Sequence, residues 1–213
     1  MFTKKEIFNV ISASLVLGVV YSLGSKNVAE WQKIILPAIG LVVIVILINS
    51  IFKKISAYFF DAQIEIKLWE WKRYGYKPHQ RMPTNFPFGF FVPLILKFLS
   101  VGLINWMASL TFEVKGTIYR AAKKWQLYQY SEVTEGEMAL IAFSGIFMNL
   151  VFAIIGYLIN APMFAKLNLL YAFYNTIPLS NLDGSKIFFG KKGLWVFTAI
   201  VTSLSVVASI IIK

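Results

Sequence analysis

"FYNTIPLSNLDGSKIF", residues 173–188, is the stretch on which the reading of this chain turns. A run of apolar and aromatic residues meets Asn175, Pro178, Asn181, Asp183 and Gly184, so a carboxylate stands where hydrocarbon would resist it. The rest of the chain sharpens the problem. Of 213 residues, 58% are hydrophobic and only 15% charged, and the mean hydropathy is +0.67, outside the range of an ordinary soluble domain. Such a composition implies an integral membrane protein.

Working outward, "IILPAIGLVVIVILINSIF", Ile34–Phe52, carries no ionisable group. At about 1.5 Å per residue it approaches the roughly 30 Å of a bilayer core. Similar runs occupy 7–24, 86–112, 138–160, 163–179 and 194–212, which leaves little chain for a water-soluble unit. One membrane domain over 1–213 is expected. Lys4 and Lys5 precede the first run, but "YSLGSKN" offers no small-x-small cleavage site, so that run reads as a helix rather than a signal peptide. The absence of cysteine excludes disulfides and thiolate metal sites. The net charge of +11 comes from Lys and Arg that flank apolar runs, which fits a cytoplasmic membrane face and not nucleic-acid binding.

Charge counting fixes the expected topology. If every run crossed once from an inner N-terminus, eleven basic residues would lie inside and nine outside, with Lys97 left uncounted, which is almost no bias. Suppose instead that 86–112 enters and leaves on one side, as a re-entrant hairpin or two short helices. Pro87, Gly89, Pro93 and the polar break "SVGLIN" permit this. Only Lys26, Lys33, Lys166 and Lys213 then lie outside, with sixteen basic residues inside. The expected fold class is therefore an all-α membrane protein of about five full spans plus the hairpin. Its N-terminus and the segments 53–85, 113–135 and 180–192 are expected at the cytoplasmic face of the cell membrane. That arrangement brings residues 49–54 and 180–192 to the same membrane face.

"DAQIEIKLWEWKRYGYKPHQR" mixes Trp69, Trp71, Tyr74 and Tyr76 with basic residues just after a span, the composition of an amphipathic interfacial segment. "TFEVKGTIYRA" alternates around Gly116, which predicts a short interfacial β-hairpin near 112–121.

The opening stretch resembles the N-x-x-P-x-x-x-L-D-G signature of the site-2 protease family, the intramembrane zinc metalloproteases, through Asn175, Pro178, Leu182, Asp183 and Gly184. "IAFSGIFMNLVFA" is similar to that family's A-G-P-x-x-N helix, with Gly145 and Asn149 matching and Ile146 in place of the proline. "KKGLWVF" resembles the entry to the final helix in small prokaryotic members. The resemblance implies a site-2 protease-like bundle in which the aspartate is a zinc ligand.

The family's H-E-x-x-H, which places two imidazoles and a glutamate on one helical face, is missing. The resemblance puts its position at the end of the second span, where Asn49, Ser50 and Lys53 stand in its place. With Asp183 these are the vestigial zinc positions. Asn, Ser and an ammonium are poor replacements for imidazole, and the general base is gone too, so neither catalytic residues, metal nor any other cofactor is expected. His79, the single histidine, lies in a basic loop and reads as a solvated residue.

Asp183 then has two readings. It forms an ion pair with Lys53 that replaces the metal as a link between helices, or it caps its own turn while Lys53 reaches to the surface. Asn149 and Asn175 are candidates for binding backbone of an extended peptide, as the resemblance implies, or for interhelical hydrogen bonds. The leading expectation is a pseudoprotease that binds a transmembrane helix, a membrane protein partner or a partner subunit. The alternatives are an active zinc protease with a non-standard site and a small transporter or channel.

Overall fold

The computed structural model describes residues 2–23, 28–71, 85–116 and 133–211. Among the described residues, seven helices, α1 (Lys4–Ser22), α2 (Val28–Phe59), α3 (Phe88–Leu99), α4 (Glu135–Leu158), α5 (Pro162–Thr176), α6 (Asp183–Gly190) and α7 (Lys192–Ile211), accompany two strands, β1 (Ala62–Leu68) and β2 (Leu110–Gly116). Among the described residues, four helices are long and apolar enough to cross a membrane: α1, Lys33–Phe59 of α2, α4 and Lys192–Ser209 of α7.

Local chemistry sets several of these boundaries. Thr3 and Glu6 form a capping box at the start of α1, and Thr134 and Glu137 repeat it at α4, each satisfying backbone donors that a helix start leaves open. Helix α4 turns sharply into α5 through Asn160, in the left-handed region at φ 57°, and Pro162 starts α5 where a missing N–H costs nothing. Gly18 lets α1 and α2 approach closely, because a Cβ there would lie 2.8 Å from the Ile39 Cα. The main core gathers Leu17 of α1, Ile46 of α2, Phe112 of β2, Ile146 of α4, Tyr171 of α5 and Ile187 of α6.

Two expectations need correction. One of the five expected full spans, 163–179, holds a helix of only 15 residues, Pro162–Thr176. That is about 22 Å of rise, and Pro178 stands just beyond its end, so it is not among the four helices of spanning length. The fold is not all-α. The segment read as an amphipathic surface stretch begins with β1, where Ala62, Ile64, Ile66 and Leu68 are buried in strict alternation with more exposed neighbours. Strand β2 covers the first half of the expected hairpin around Gly116. It pairs antiparallel with β1, from Ala62 opposite Gly116 to Leu68 opposite Leu110. Residues 117–121 lie outside the described residues, as does His79.

Both outer edges of this two-stranded sheet are occupied, as an isolated ribbon requires. On the β1 side, Ile66 N–H donates to Glu6 Oε1 (2.9 Å) and Asn9 Nδ2 donates to the Ile66 carbonyl (3.2 Å), so one face of α1 serves the strand. On the β2 side, the Lys186 amine donates to the Phe112 carbonyl.

Residues 86–112 leave the sheet and return to it. At the base, Gly89 N–H donates to the Trp69 carbonyl (2.8 Å), Trp69 N–H to the Ser109 carbonyl (2.8 Å), and Ser109 Oγ to the Gly89 carbonyl (2.6 Å). At the tip, a Cβ on Gly102 would lie 3.8 Å from the Leu23 carbonyl, so the hairpin runs along α1 from near its start to its end. One limb is α3 and the other is extended chain. Lys97 is buried between them and donates to the Gly102 carbonyl (2.9 Å) and to Asn105 Oδ1, closing the tip. Phe98, Leu99, Val101 and Leu103 project from it, each at least 74% exposed, a surface suited to hydrocarbon rather than water.

Candidate functional site

Four elements bring polar groups together in the apolar core. On α2, Asn49 and Lys53 are four residues apart and share a face, which is buried. On α4, Gly145 meets that face directly. A Cβ there would stand 2.8 Å from Asn49 Nδ2 and 2.7 Å from Lys53 Cε, so the glycine makes room for both side chains. Asn149 lies one turn further along the same face of α4 and is fully buried.

Asp183 is the first residue of α6, and the preceding turn delivers it to this spot. Pro178 and the left-handed Ser180 (φ 49°) bend the chain after α5, and Leu182 N–H closes the turn onto the Leu179 carbonyl at 3.0 Å. Gly184 is required by the close return. A Cβ there would sit 2.1 Å from the Thr176 carbonyl oxygen and 2.6 Å from that of Ile177, both fixed backbone atoms. Asp183 Oδ2 accepts a hydrogen bond from the Lys53 amine, a buried ion pair joining α2 to α6. Asp183 does not cap its own turn, since α6 begins without a side-chain cap.

A second lysine completes the cluster. Lys186 follows Asp183 by three residues and lies on its side of α6. Its amine donates to Thr111 Oγ1 (3.1 Å) and to the Phe112 carbonyl, and sits 3.6 Å from the centre of the Phe112 ring. The Lys53 amine is 5.4 Å from the same ring, so Phe112 is a shared cation–π surface for both. Burial pushes the Lys186 amine down to about 7, with Asp183 opposing that shift, Lys53 adding to it and Glu113 opposing it. Strand β2 thus sets Phe112 against both amines.

Tyr171 of α5 is buried within the field of Asp183, and its carbonyl accepts from Asn175 Nδ2 at 2.9 Å. Among the described residues, seven buried side-chain polar atoms lack a partner, and five belong to this cluster: Asn49 Nδ2, both amide atoms of Asn149, Asn175 Oδ1 and Asp183 Oδ1. Each such atom costs about 1–3 kcal/mol if nothing meets it. Among the described residues these atoms are concentrated here more than anywhere else.

Of the positions singled out in sequence, Asn49, Ser50 and Lys53 are all buried, and Lys53 reaches Asp183. The roles of Lys186 and Phe112 were not anticipated. The three-residue spacing from Asp183 was the available signal for Lys186; Phe112 had none, because its place depends on a pairing 46 residues away in sequence. Zinc does not fit this residue set. An ammonium occupies one Asp183 oxygen, and among the described residues no three His, Cys, Asp or Glu gather where they could hold a metal. Comparison of the chain with protein-family models, with curated proteins and with solved structures finds no match.

Proposed function

We propose that this chain is a catalytically silent membrane protein built on a site-2 protease-like scaffold, lying in the cell membrane with its N-terminus and the 53–85, 113–135 and 180–192 segments cytoplasmic. Its role is to bind a transmembrane helix or partner subunit through the polar cluster of α2, α4, α5 and α6.

The observation that carries this reading is the set of orphaned amide and carboxylate atoms around a neutralised ion pair. Lys53 and Asp183 cancel each other's charge, so the site offers neither a nucleophile-activating base nor an open metal position. What it offers is donors and acceptors in hydrocarbon, suited to the backbone of a segment that is locally unwound or extended. These side chains are buried in the free protein, so a partner reaches them by parting the helices that cover them.

Asn149→Leu separates this role from a structural one. Both amide atoms of Asn149 lack partners, so their removal is expected to raise the stability of the free protein by about 1–2 kcal/mol. The same change is expected to reduce photocrosslinking of membrane partners to a probe placed at Tyr174. Loss of stability with undiminished crosslinking would refute the proposal and make Asn149 a packing residue.

A further inference from the structure

A second site lies away from the ion pair, where the start of α1, the end of α2 and β1 meet. A cavity of about 450 Å³ opens there, lined among others by Glu6, Lys54, Tyr58, Ile64, Glu65 and Lys115. Its level in the bilayer follows from its neighbours. Tyr58 and Phe59, 79% and 77% exposed, end a spanning helix, while Lys4 and Lys5 begin another, so the cavity stands at the headgroup layer.

The wall groups differ in freedom. Glu6 is saturated: Oε1 accepts from Lys54 (2.7 Å) and from Ile66 N–H (2.9 Å), and Oε2 from Thr3 N–H (2.7 Å). It fixes the floor. Glu65 and Lys115 form an ion pair at the rim, with side chains 23% and 66% exposed, and solvent weakens such a pair enough for a ligand to exchange with it. Ile66 directs its N–H and carbonyl outward to α1, and by the two-residue alternation of an antiparallel ladder Ile64 directs its own the same way, toward the cavity.

We infer that this cavity binds a zwitterionic phosphoethanolamine headgroup, its phosphate between Lys54 and Lys115 and its primary ammonium on Glu65 and the Ile64 carbonyl. Two acids and two bases make the wall neutral, which matches a neutral ligand carrying both signs and disfavours an anionic one. The acceptors are oxygens, which suit an ammonium that donates hydrogen bonds and offer little to a trimethylated one.

The test embeds the full chain in nanodiscs of equal phosphatidylethanolamine, phosphatidylcholine and phosphatidylglycerol, and reads the lipid retained after mild extraction by native mass spectrometry. Phosphatidylethanolamine is expected to be enriched about tenfold over the other two, the worth of one charge-assisted hydrogen bond. Glu65→Gln and Lys115→Gln should abolish the preference. Lys67→Gln, in the sheet's other cross-strand pair and outside the cavity, should preserve it. A second arm titrates free O-phosphoethanolamine: displacement of the lipid assigns the site to the headgroup alone, and resistance assigns it to bilayer lipid. Equal retention of the three lipids, or a preference that survives both Glu65→Gln and Lys115→Gln, would overturn the inference.

Discussion

Lys53→Met tests the energetics of the ion pair. The substitution keeps the length and apolar stem of the side chain and removes only the ammonium, leaving Asp183 fully buried with Oδ2 newly without its partner and Oδ1 already so. Removing one member of a buried pair costs about 3–5 kcal/mol. The remaining cation, Lys186, still faces Asp183 and offsets part of the loss, so the lower end of that range is expected. Asp183→Asn is the harsher change, because it leaves the Lys53 ammonium buried with no anion beside it, and the upper end is expected. At about 2–4 °C per kcal/mol for a chain of this size, these are drops of roughly 6–12 °C and 10–20 °C in melting temperature. The assay is thermal unfolding in lipid nanodiscs followed by circular dichroism. The double variant Lys53→Met/Asp183→Leu removes both charges and should return to near wild-type stability, giving a coupling of about 3 kcal/mol or more. Two small single effects that simply add would refute the reasoning, since they would mean that water reaches the pair.

Gly184→Ala should destabilise more than Gly145→Ala. The new methyl at 184 meets the Thr176 and Ile177 carbonyls, which cannot yield, whereas at 145 it meets the Lys53 and Asn49 side chains, which can shift. Comparing the two melting temperatures checks the order. Lys186 predicts a pH dependence: its folded value is about 7 against an ordinary 10.5, so between those values the unfolded chain binds the extra proton and stability rises with pH. Melting temperature should therefore climb from pH 7 to 9, and Lys186→Gln should flatten that slope.

How far the sequence discloses the structure varies by element. The meeting of Lys53 with Asp183 was legible because charge counting at the membrane faces brings the end of the second span beside the "NLDG" turn, and the pairing of opposite charges in hydrocarbon does the rest. The return of 86–112 to its starting point was legible from its prolines and polar break. Strand β1 was obscured: "AQIEIKL" alternates as a strand should, but the Trp, Tyr and basic residues that follow suggested one amphipathic interfacial segment. Its pairing with β2 joins residues 42 to 54 positions apart, a distance over which local pattern carries no register. Glu6 was missed for a different reason. Its T-x-x-E capping box is visible in "TKKE", but nothing local indicates that the same carboxylate also serves the edge of a strand about 60 residues later.

The central proposal is that the Lys53 ammonium, and no metal, partners Asp183, and elemental analysis of the purified protein tests it most directly. After loading with excess zinc and removal of loosely held ions, the protein should retain far less than one zinc per chain, and Asp183→Ala should leave that amount unchanged. Stoichiometric zinc that disappears with Asp183→Ala would contradict the account.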